Sequence, residues 1–213
     1  MTTTPPIRSG TVFVVDDDTS FLRSVSRLLR AVGYTVESFV SAQEFLDRLT
    51  PEISGCVVTD LQMPEINGLE LQAALQKTAN PLPMIFLTGQ GDIPTTVSAM
   101  RNGAEDFLTK LAPQKELLAA VVRALEHDAQ ARQQRAQQCE LRNRFAELSQ
   151  RELEVLGYVV QGKMNKEIAA DLNLNVRTVK LHRTNLTRKL KVQSVAELTR
   201  LADVAGLFRA EQK

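Results

Sequence analysis

The sequence contains few cysteines and no long apolar run. Its two cysteines are Cys56, in a short apolar stretch, and Cys139, in a polar one, and they lack the spacing of a metal site. We therefore expect free thiols and no disulfide framework. There is no apolar run of about 18 residues, and no charged-then-apolar leader with a cleavage site. We therefore expect neither a membrane span nor export, and the expected location is the cytoplasm.

The net charge of +1 conceals an uneven distribution of charged residues. Residues 1–127 carry 10 Lys or Arg and 15 Asp or Glu, whereas residues 146–213 carry 12 Lys or Arg and 8 Asp or Glu. An acidic half joined to a basic half predicts two modules. The basic module is the better candidate for binding a polyanion.

Five short apolar runs, each followed by an amphipathic stretch, fill the first half of the chain. The runs are TVFVVD, YTVESF, GCVVTD, LPMIFLTG and AEDFLTK. In FLRSVSRLLRAVG, which follows the first run, apolar residues recur at helical spacing and Gly33 is placed to end a helix. Strands that alternate with helices predict an α/β fold of the doubly wound class, with helices on both faces of a five-stranded parallel sheet.

Polar side chains stand where these predicted strands end. The first strand runs into Asp16 and Asp17, the third into Asp60, the fourth into Thr88 and the fifth into Lys110. Sites in such sheets form beyond the carboxyl ends of the strands, so we expect these five side chains to converge on one rim. Three carboxylates in one crevice repel one another unless a cation lies among them, and oxygen ligands of this kind suit Mg²⁺.

With a cation in place, Asp60 can act as a nucleophile toward phosphorus, Thr88 can hydrogen-bond a phosphoryl oxygen and Lys110 can neutralise another. Simpler interpretations exist for single residues. Thr88, which precedes a glycine, also fits a turn, and Lys110 also fits a solvated strand end. Asp17 or Asp18 also fits the cap of the following helix.

The motifs VVDDD, VTDLQMPEINGLEL and IFLTGQGDIPTTVSAMRNGAEDFLTK resemble, in order and spacing, the receiver domain of two-component response regulators. The resemblance covers about residues 11–127 and implies a flavodoxin-like fold, bound Mg²⁺ and a sensor histidine kinase as partner. By this resemblance, Asp60 is the phospho-acceptor and Lys110 is the lysine that pairs with the phosphate. Asp16 and Asp17 are the acidic pair that binds Mg²⁺, and the backbone carbonyl of Gln62 is a further metal ligand. Thr88 and Phe107 are the switch residues. An ordinary core residue is the alternative for Phe107.

One position departs from the receiver pattern. Receivers usually follow this lysine with a proline in a cis peptide, but here Leu111 comes next and Pro113 stands two residues later. A cis bond before leucine would cost about 3–4 kcal/mol, so we expect a trans bond. The loop after the fifth strand is therefore predicted to differ locally from that of other receivers.

Between Leu117 and Arg144 there is no proline and no glycine, and HDAQARQQRAQQCELRNRF is rich in helix formers. The last helix of the first module is therefore expected to continue outward as a linker. A heptad count places Arg132 and Cys139 on the same line as two leucines, which weakens that line as a core. Both a coiled coil and a solvated or partly flexible helix remain open.

The basic half begins with LSQRELEVLGYVVQG, in which Ser149 stands three residues before Glu152 at the spacing of a capping box. NKEIAADLNL and NVRTVKLHRTNLTRKLKV then predict two helices joined by a tight turn. Six Lys or Arg and no acidic residue lie between Asn175 and Ser194. This pattern is typical of a helix-turn-helix that binds DNA, although a charged run can also be a solvated face.

Residues 148–208 resemble the four-helix LuxR-type DNA-binding domain, and the whole chain is identified as a member of the FixJ/NarL family of response regulators. Its implied major-groove residues are Lys180, Leu181 and Thr184, with Arg183 nearby. Its implied phosphate-contact candidates are Arg177, Thr178, His182, Lys189 and Lys163. Internal packing is the alternative for His182. The closing helix is implied to form a dimer face through Val195, Leu198 and Leu201, with core burial as the alternative.

The predicted architecture is therefore a receiver joined by a helical linker to an all-α four-helix helix-turn-helix domain. The predicted bounds are 1–10 for an N-terminal tail, 11–127 for the receiver, 128–147 for the linker, 148–208 for the DNA-binding domain and 209–213 for a C-terminal tail. This organisation predicts a regulator that is phosphorylated, dimerises, binds double-stranded promoter DNA and meets RNA polymerase.

We do not expect an enzyme that acts on a separate substrate, although such a regulator can catalyse its own phosphorylation and dephosphorylation. Two alternatives remain open. One is an enzyme that turns over phosphate esters through Asp60, and the other is a constitutive DNA-binding protein with a structural receiver.

Overall fold

The structure is a computed structural model, and it describes residues 10–89 and 93–205. The chain divides into two compact units between Arg132 and Gln133. The predicted C-terminal tail and most of the predicted N-terminal tail lie outside the described residues. Within those residues, no helix combines the length and the apolar character needed to cross a membrane.

The first unit contains a parallel sheet of five strands in the order β2-β1-β3-β4-β5. The strands are β1 (Thr11–Val15), β2 (Thr35–Phe39), β3 (Gly55–Thr59), β4 (Met84–Thr88) and β5 (Asp106–Thr109). The helices that alternate with them are α1 (Thr19–Ala31), α2 (Ala42–Asp47), α3 (Gly68–Gln76), α4 (Ile93–Arg101) and α5 (Gln114–Ala146). The predicted doubly wound α/β fold is confirmed.

Two apolar clusters sandwich the sheet. Val12 and Val14 of β1 belong to one cluster, and Phe13 and Val15 belong to the other. Alternate residues of a strand point to opposite faces, so the two clusters lie on opposite sides of the sheet. Helices α1 and α5 contribute to the first cluster, and α2, α3 and α4 contribute to the second. This burial on both faces explains the near-continuous apolar strands in the sequence.

Helix α1 begins and ends at the residues that the sequence indicates. The Asp18 carboxylate caps its start by accepting the N–H groups of Ser20 at 2.9 Å and Phe21 at 3.2 Å. Gly33 follows its C-cap with a φ of 101°, a left-handed conformation that glycine adopts without strain. The capping interpretation of Asp18 is thus confirmed, which leaves the two preceding carboxylates to be explained.

Helix α5 continues to Ala146, so the predicted extension of this helix is confirmed. Arg132 and Cys139, on the weak line of the heptad count, are both exposed. The coiled coil concerns a second chain, so it and the solvated or partly flexible helix stay alternatives.

The second unit consists of the end of α5 and four further helices packed around a third apolar cluster. These helices are α6 (Gln150–Val160), α7 (Asn165–Asp171), α8 (Val176–Leu190) and α9 (Val195–Ala205). Leu141 and Phe145, from the stretch predicted as linker, are buried in this cluster. The predicted four-helix arrangement is confirmed, and the end of α5 contributes to its core.

Two local predictions about the second unit also hold. Ser149 and Glu152 form the expected capping box at the start of α6. The turn between α7 and α8 uses Asn173 in the left-handed region, with a φ of 51°, and Asn175 caps α8. Asparagine tolerates this region better than most residues, which explains why a tight turn forms here.

Candidate functional site

The carboxyl ends of β1 and β3 lie side by side because these strands are neighbours in the sheet. The residues that follow them, Asp16 and Asp17 after β1 and Asp60 after β3, place carboxylate oxygens within 4.8 Å of one another. We call these three residues the acidic pocket. Asp16 and Asp60 are buried, and Asp17 is exposed. Their convergence agrees with the geometry expected from the strand ends.

Lys110 enters the acidic pocket from the end of β5. Its ammonium nitrogen lies 2.6 Å from Oδ2 of Asp16 and 2.8 Å from Oδ2 of Asp60. The same nitrogen lies 4.4 Å from the centroid of the Phe21 ring, at the start of α1. One ammonium therefore partly neutralises a group of three carboxylates.

The local electrostatics leave room for a further cation. Burial raises the pKa of Asp16 above its ordinary value, and this outweighs the hydrogen bond that Lys110 donates. Burial opposes the charge on Lys110, but its hydrogen bonds to Asp16 and Asp60 outweigh this and raise its pKa. With these residues ionised, the pocket carries two negative charges in excess. This set of carboxylate oxygens fits Mg²⁺, which prefers oxygen ligands.

The carboxylate of Asp60 is held by its own loop. Its Oδ1 accepts the backbone N–H of Leu61 at 2.6 Å and that of Gln62 at 3.4 Å, while its Oδ2 accepts Lys110. Gln62 is exposed in the loop after β3. The structure thus places Gln62 beside Asp60, and the use of its carbonyl as a metal ligand stays a prediction.

Gly68 is a residue of this site that sequence reasoning missed. Its N–H donates to the carbonyl of Leu61 at 2.9 Å, which joins the start of α3 to the loop after Asp60. A Cβ atom at this position would lie 2.5 Å from the Asp60 carbonyl oxygen and 2.9 Å from Cε1 of Phe86. Only glycine lets the start of α3 approach the loop after Asp60 so closely. A glycine at the start of a predicted helix was the available signal.

The loop after β5 keeps Lys110 in reach of the pocket without a cis proline. No peptide bond in the described residues is cis, so the trans bond before Leu111 is confirmed. The Lys110 N–H donates to the Thr88 carbonyl at 2.7 Å, and the Ala112 N–H donates to the Thr109 carbonyl at 2.9 Å. The chain therefore turns directly after β5, and it leaves the Leu111 side chain 93% exposed.

The two predicted switch residues lie on neighbouring strands. Thr88 is buried at the end of β4, the strand beside β3. Phe107 is half-buried on β5 and stacks on Phe86, with ring centroids 5.7 Å apart. This stacking supports the core interpretation of Phe107, and its role in a switch stays a prediction.

A second candidate site lies on α8. Its exposed residues recur at positions that share one helical face: Arg177, Lys180, Leu181, Thr184 and Arg188. We call this set the exposed face of α8. Val179, Leu186 and Leu190, on the other side of the helix, are buried in the third cluster. Arg188 was absent from the predicted contacts, although its helical spacing from Thr184 would have identified it.

Other predicted DNA contacts are half-buried, and two of them already have partners. Thr178 and His182 are half-buried, and the Arg183 guanidinium donates to Oδ1 of Asn165 at 2.7 Å. Lys163, after α6, donates to Oδ2 of Asp171 at 2.6 Å, and its ammonium lies 4.5 Å from the Tyr158 ring centroid. Any phosphate contact of Lys163 must therefore compete with a carboxylate.

Lys189, another predicted contact, is paired with a buried carboxylate. Its ammonium donates to Oε2 of Glu152 at 2.7 Å and to the Glu147 carbonyl at 3.0 Å. Glu152 is buried, and the same Oε2 accepts the Ser149 N–H of the capping box at 2.8 Å. Burial alone would raise the pKa of Glu152, but the hydrogen bonds from Lys189 and Ser149 outweigh it and lower the pKa. These contacts show that Lys189 joins α8 to the start of α6.

The three residues of the predicted dimer face on α9 differ in their burial. Val195 is exposed and Leu201 is half-buried, whereas Leu198 is buried in the third cluster. This burial supports the core interpretation of Leu198. The described residues of α9 also expose Val204.

Comparison with known protein families gives two matches along the chain. Residues 12–122 match the response regulator receiver domain, and residues 146–202 match the bacterial regulatory proteins of the luxR family. The first match contains the acidic pocket, and the second contains the exposed face of α8.

Similar proteins and structures share this organisation over most of their length. The chain is 39% identical to the response regulator protein TodT of Pseudomonas putida over 92% of this chain and 86% of that protein. It is 42% identical to the transcriptional regulatory protein FixJ of Azorhizobium caulinodans over 94% of this chain and 95% of that protein. The structure of the response regulator StyR has a TM-score of 0.83 and 43% identity, covering 92% of this chain and 99% of that one.

The crystal structure of full-length FixJ from B. japonicum compares with this chain at a TM-score of 0.56 and 37% sequence identity. The comparison covers 94% of this chain and 99% of that one. Both family matches lie on the units that carry the two candidate sites. The chain therefore belongs to the FixJ/NarL family of two-component response regulators, which join a receiver domain to a LuxR-type DNA-binding domain.

Proposed function

We propose that Asp60 accepts a phosphoryl group from a sensor histidine kinase in a Mg²⁺-dependent reaction, and that the modified chain dimerises and binds promoter DNA. The observation that carries this proposal is the position of the Asp60 carboxylate. One oxygen accepts backbone N–H groups, and the other accepts Lys110 at 2.8 Å. A carboxylate held in this way is oriented before the phosphodonor arrives, which lowers the entropic cost of the reaction.

In the transfer, a carboxylate oxygen of Asp60 attacks the phosphorus of a phosphohistidine on the kinase. The O–P bond forms as the N–P bond breaks, and the electron pair of the broken bond returns to the imidazole nitrogen. Lys110, already beside Asp60, then pairs with a phosphoryl oxygen. Mg²⁺ held by Asp16, Asp17, Asp60 and the Gln62 carbonyl would neutralise further charge on the phosphoryl group.

We propose that phosphorylation of Asp60 alters the receiver surface through Thr88 and Phe107. The Thr88 hydroxyl binds a phosphoryl oxygen, and Phe107 on the next strand changes its rotamer. Helix α4, which precedes β5, exposes Ile93, Val97 and Met100 at helical spacing. We assign dimerisation to this face of α4 and β5, because a second copy that covers an apolar stripe removes it from water.

Dimerisation supports DNA binding by placing a second copy of α8 close to the same duplex. Once one domain binds a half-site, its partner binds the second half-site at a high effective concentration. The cationic residues of the exposed face of α8 supply phosphate contacts and base contacts. RNA polymerase is the expected further partner, because a bound regulator of this class acts on transcription.

The first test is the intact mass and the light-scattering mass of the full chain before and after incubation with Mg²⁺ and acetyl phosphate. We expect the wild type to gain one phosphoryl group and to shift toward a dimer. Asp60→Asn should do neither. Asp18→Asn is the matched control, because asparagine still caps α1 and Asp18 lies outside the acidic pocket.

Two outcomes contradict the proposal. If the wild type gains no phosphoryl group from either acetyl phosphate or its kinase, Asp60 is not a working acceptor. If wild type and Asp60→Asn bind a selected duplex equally under phosphorylating conditions, the receiver is a structural platform and DNA binding is constitutive.

A further inference from the structure

The ammonium group of Lys110 has an aromatic neighbour besides its two carboxylates. Its nitrogen lies over the Phe21 ring, 4.4 Å from the ring centroid. An ammonium group has three N–H donors, and the carboxylates of Asp16 and Asp60 accept two of them. The face of an aromatic ring is negative and attracts a cation within about 6 Å of its centroid. The Phe21 ring is therefore a third partner of this ammonium group.

The Phe21 ring is held in place through both its backbone and its side chain. The backbone N–H donates to the Asp18 carboxylate at 3.2 Å, as part of the cap of α1. The side chain is half-buried and packs against the first apolar cluster, on the α1 and α5 side of the sheet. A ring held in this way loses little further conformational freedom when a cation lies over it. Phe21 is thus a fixed partner for a flexible lysine side chain.

The two carboxylates that hold Lys110 are also proposed ligands of Mg²⁺. The ion attracts the same oxygens as the ammonium group, so its binding weakens both ion pairs. A lysine has a long flexible stem, and a weakened hold lets its ammonium leave the pocket. Leu111, which follows Lys110, is 93% exposed and contributes little packing to the loop. Mg²⁺ takes oxygen ligands, so the contact between Lys110 and the Phe21 ring is the one that the ion does not contest.

We infer that Phe21 is a positioning residue for phosphorylation, which keeps the Lys110 ammonium beside Asp60 through a cation–π contact while Mg²⁺ is bound. This inference rests on the proposed function. Phe21 acts through Lys110, whose ammonium group meets a phosphoryl oxygen as the O–P bond forms. A group that is already in place lowers the entropic cost of the reaction, so loss of the ring should slow phosphorylation.

The main measurement is the rate at which the full chain gains a phosphoryl group from acetyl phosphate at saturating Mg²⁺, where a change in ion affinity has no effect. Phe21 is replaced by phenylalanine analogues that carry one, two or three fluorine atoms on the ring. Fluorine draws electron density from the ring face and weakens its attraction for a cation, while the ring keeps nearly the same size. We expect a stepwise loss of rate that reaches about fivefold with three fluorine atoms, the effect of a cation–π contact at a partly exposed site.

Two substitutions and a matched control complete the series. Phe21→Leu keeps an apolar side chain against the cluster but removes the ring, so it should slow phosphorylation by about fivefold as well. Phe21→Tyr keeps the ring and should retain most of the wild-type rate. Leu28→Ala is the control, because Leu28 is also half-buried against the first apolar cluster and lies further along α1. It should lower stability in urea without changing the rate.

A spectroscopic measurement tests the contact without any phosphodonor. The Hε protons of a lysine whose ammonium lies over a ring face shift upfield in the NMR spectrum. We expect this upfield shift for Lys110 both before and after Mg²⁺ is added, and we expect its loss in Phe21→Leu. Lys115, exposed at the start of α5, is the internal control, and its signals should not change in that variant.

The possible failures are distinguishable. If the fluorinated rings leave the rate unchanged, or if the upfield shift disappears when Mg²⁺ binds, Phe21 only packs beside Lys110 and the inference is wrong, although Asp60 stands as the acceptor. If Leu28→Ala slows phosphorylation as much as Phe21→Leu does, the effect comes from lost stability and the inference is again wrong. If the wild type gains no phosphoryl group from acetyl phosphate or from its kinase, the proposed function fails and the inference fails with it.

Discussion

The ammonium nitrogen of Lys110 lies 2.6 Å from Oδ2 of Asp16, which joins the end of β5 to the end of β1 across the rim of the sheet. The lysine therefore occupies the pocket in which a divalent cation is proposed to bind. Two cations in one small space repel each other, and the carboxylates attract both. The affinity of the pocket for Mg²⁺ thus depends on the charge of Lys110.

We expect Lys110→Met to bind Mg²⁺ about tenfold more tightly or better, because one nearby positive charge is removed while the side-chain stem is kept. Isothermal titration of the unphosphorylated chain measures this affinity. Asp17→Asn should weaken binding, and it changes an exposed residue. Lys115→Met, at an exposed site at the start of α5, is the control and should bind like the wild type. Equal affinities of Lys110→Met and the wild type would show that Mg²⁺ binds elsewhere.

Gly68→Ala should damage the receiver because the new Cβ would lie 2.5 Å from the Asp60 carbonyl oxygen. We expect the free energy of unfolding of the receiver to fall by about 1–3 kcal/mol, as in other overpacked sites. The loop after Asp60 must also shift, so phosphorylation by acetyl phosphate should slow. Urea unfolding and the rate of mass gain measure the two effects.

The control for this substitution is Gly89→Ala, because a Cβ at Gly89 has no neighbouring atom within 4 Å. Its stability should match that of the wild type. A Gly68→Ala chain with wild-type stability and a wild-type phosphorylation rate would mean that the close approach of α3 to the loop after Asp60 is not needed.

The fold was predictable because its main signals are local. Buried parallel strands require short apolar runs, and a strand followed by an amphipathic helix fixes which end of each strand reaches the site. For this reason Asp16, Asp60 and Lys110, which are far apart in sequence, could be expected on one rim. The structure brings them together, while their chemical roles stay proposals.

Contacts between distant side chains were not predictable in the same way. The positive charges of α8 look alike in the sequence, yet Lys189 is paired with a buried glutamate from α6 and Arg188 is exposed. Leu198 fits both a dimer face and a core, and only the packed structure shows it buried. Gly68 is visible in the sequence as a glycine at the start of a predicted helix, but its close approach to Asp60 is seen only in the structure.

Met164 is an unusual residue for the N-cap of a helix. Its N–H donates to Oε2 of Glu167 at 2.6 Å, which is one half of a capping box, but a methionine side chain offers no oxygen to the first turn of α7. The side chain is 74% exposed, so its replacement removes little packing. Met164→Ser supplies the missing acceptor.

We expect Met164→Ser to raise the free energy of unfolding of the C-terminal unit by about 0.5–1 kcal/mol. Hydrogen exchange of the α7 amides in the full-length protein measures the change locally. Met164→Ala serves as the control, since alanine removes the methionine side chain without providing a cap. If serine and alanine give the same protection, α7 does not depend on its cap.

Asp171 holds Lys163 at 2.6 Å and is expected to compete with DNA phosphates for it. In Asp171→Asn the lysine is released, so binding to any duplex should strengthen by several-fold and the salt slope should increase by about 1. Anisotropy titrations at several salt concentrations measure both. The gain should vanish in the double variant with Lys163→Met. A gain that persists in the double variant would assign the effect to the lost negative charge alone.

The last prediction concerns pH. Glu152 is buried against Lys189, and the hydrogen bonds that it accepts lower its pKa in the folded state. A lowered folded pKa means that the ionised form stabilises the fold. This contribution is complete above the unfolded pKa of about 4.3 and is lost as the pH falls through the folded pKa. Glu152→Gln removes the titrating group and leaves Lys189 with a neutral acceptor.

At pH 7 we expect Glu152→Gln to lower the free energy of unfolding of the C-terminal unit by about 2–3 kcal/mol, the range for a lost hydrogen bond to a charged, buried group. The difference from the wild type should begin to shrink below the unfolded pKa of about 4.3, and it should disappear only below the lowered folded pKa, where Glu152 is protonated in the folded chain as well. Hydrogen exchange of α6 and α8 follows the unit across pH. Glu154→Gln, in a surface pair with Arg151, should change stability by less than about 1 kcal/mol at every pH. A Glu152→Gln effect that stays the same from pH 7 down to the most acidic pH at which the unit is folded would mean that the side chain stabilises by packing and not by its charge.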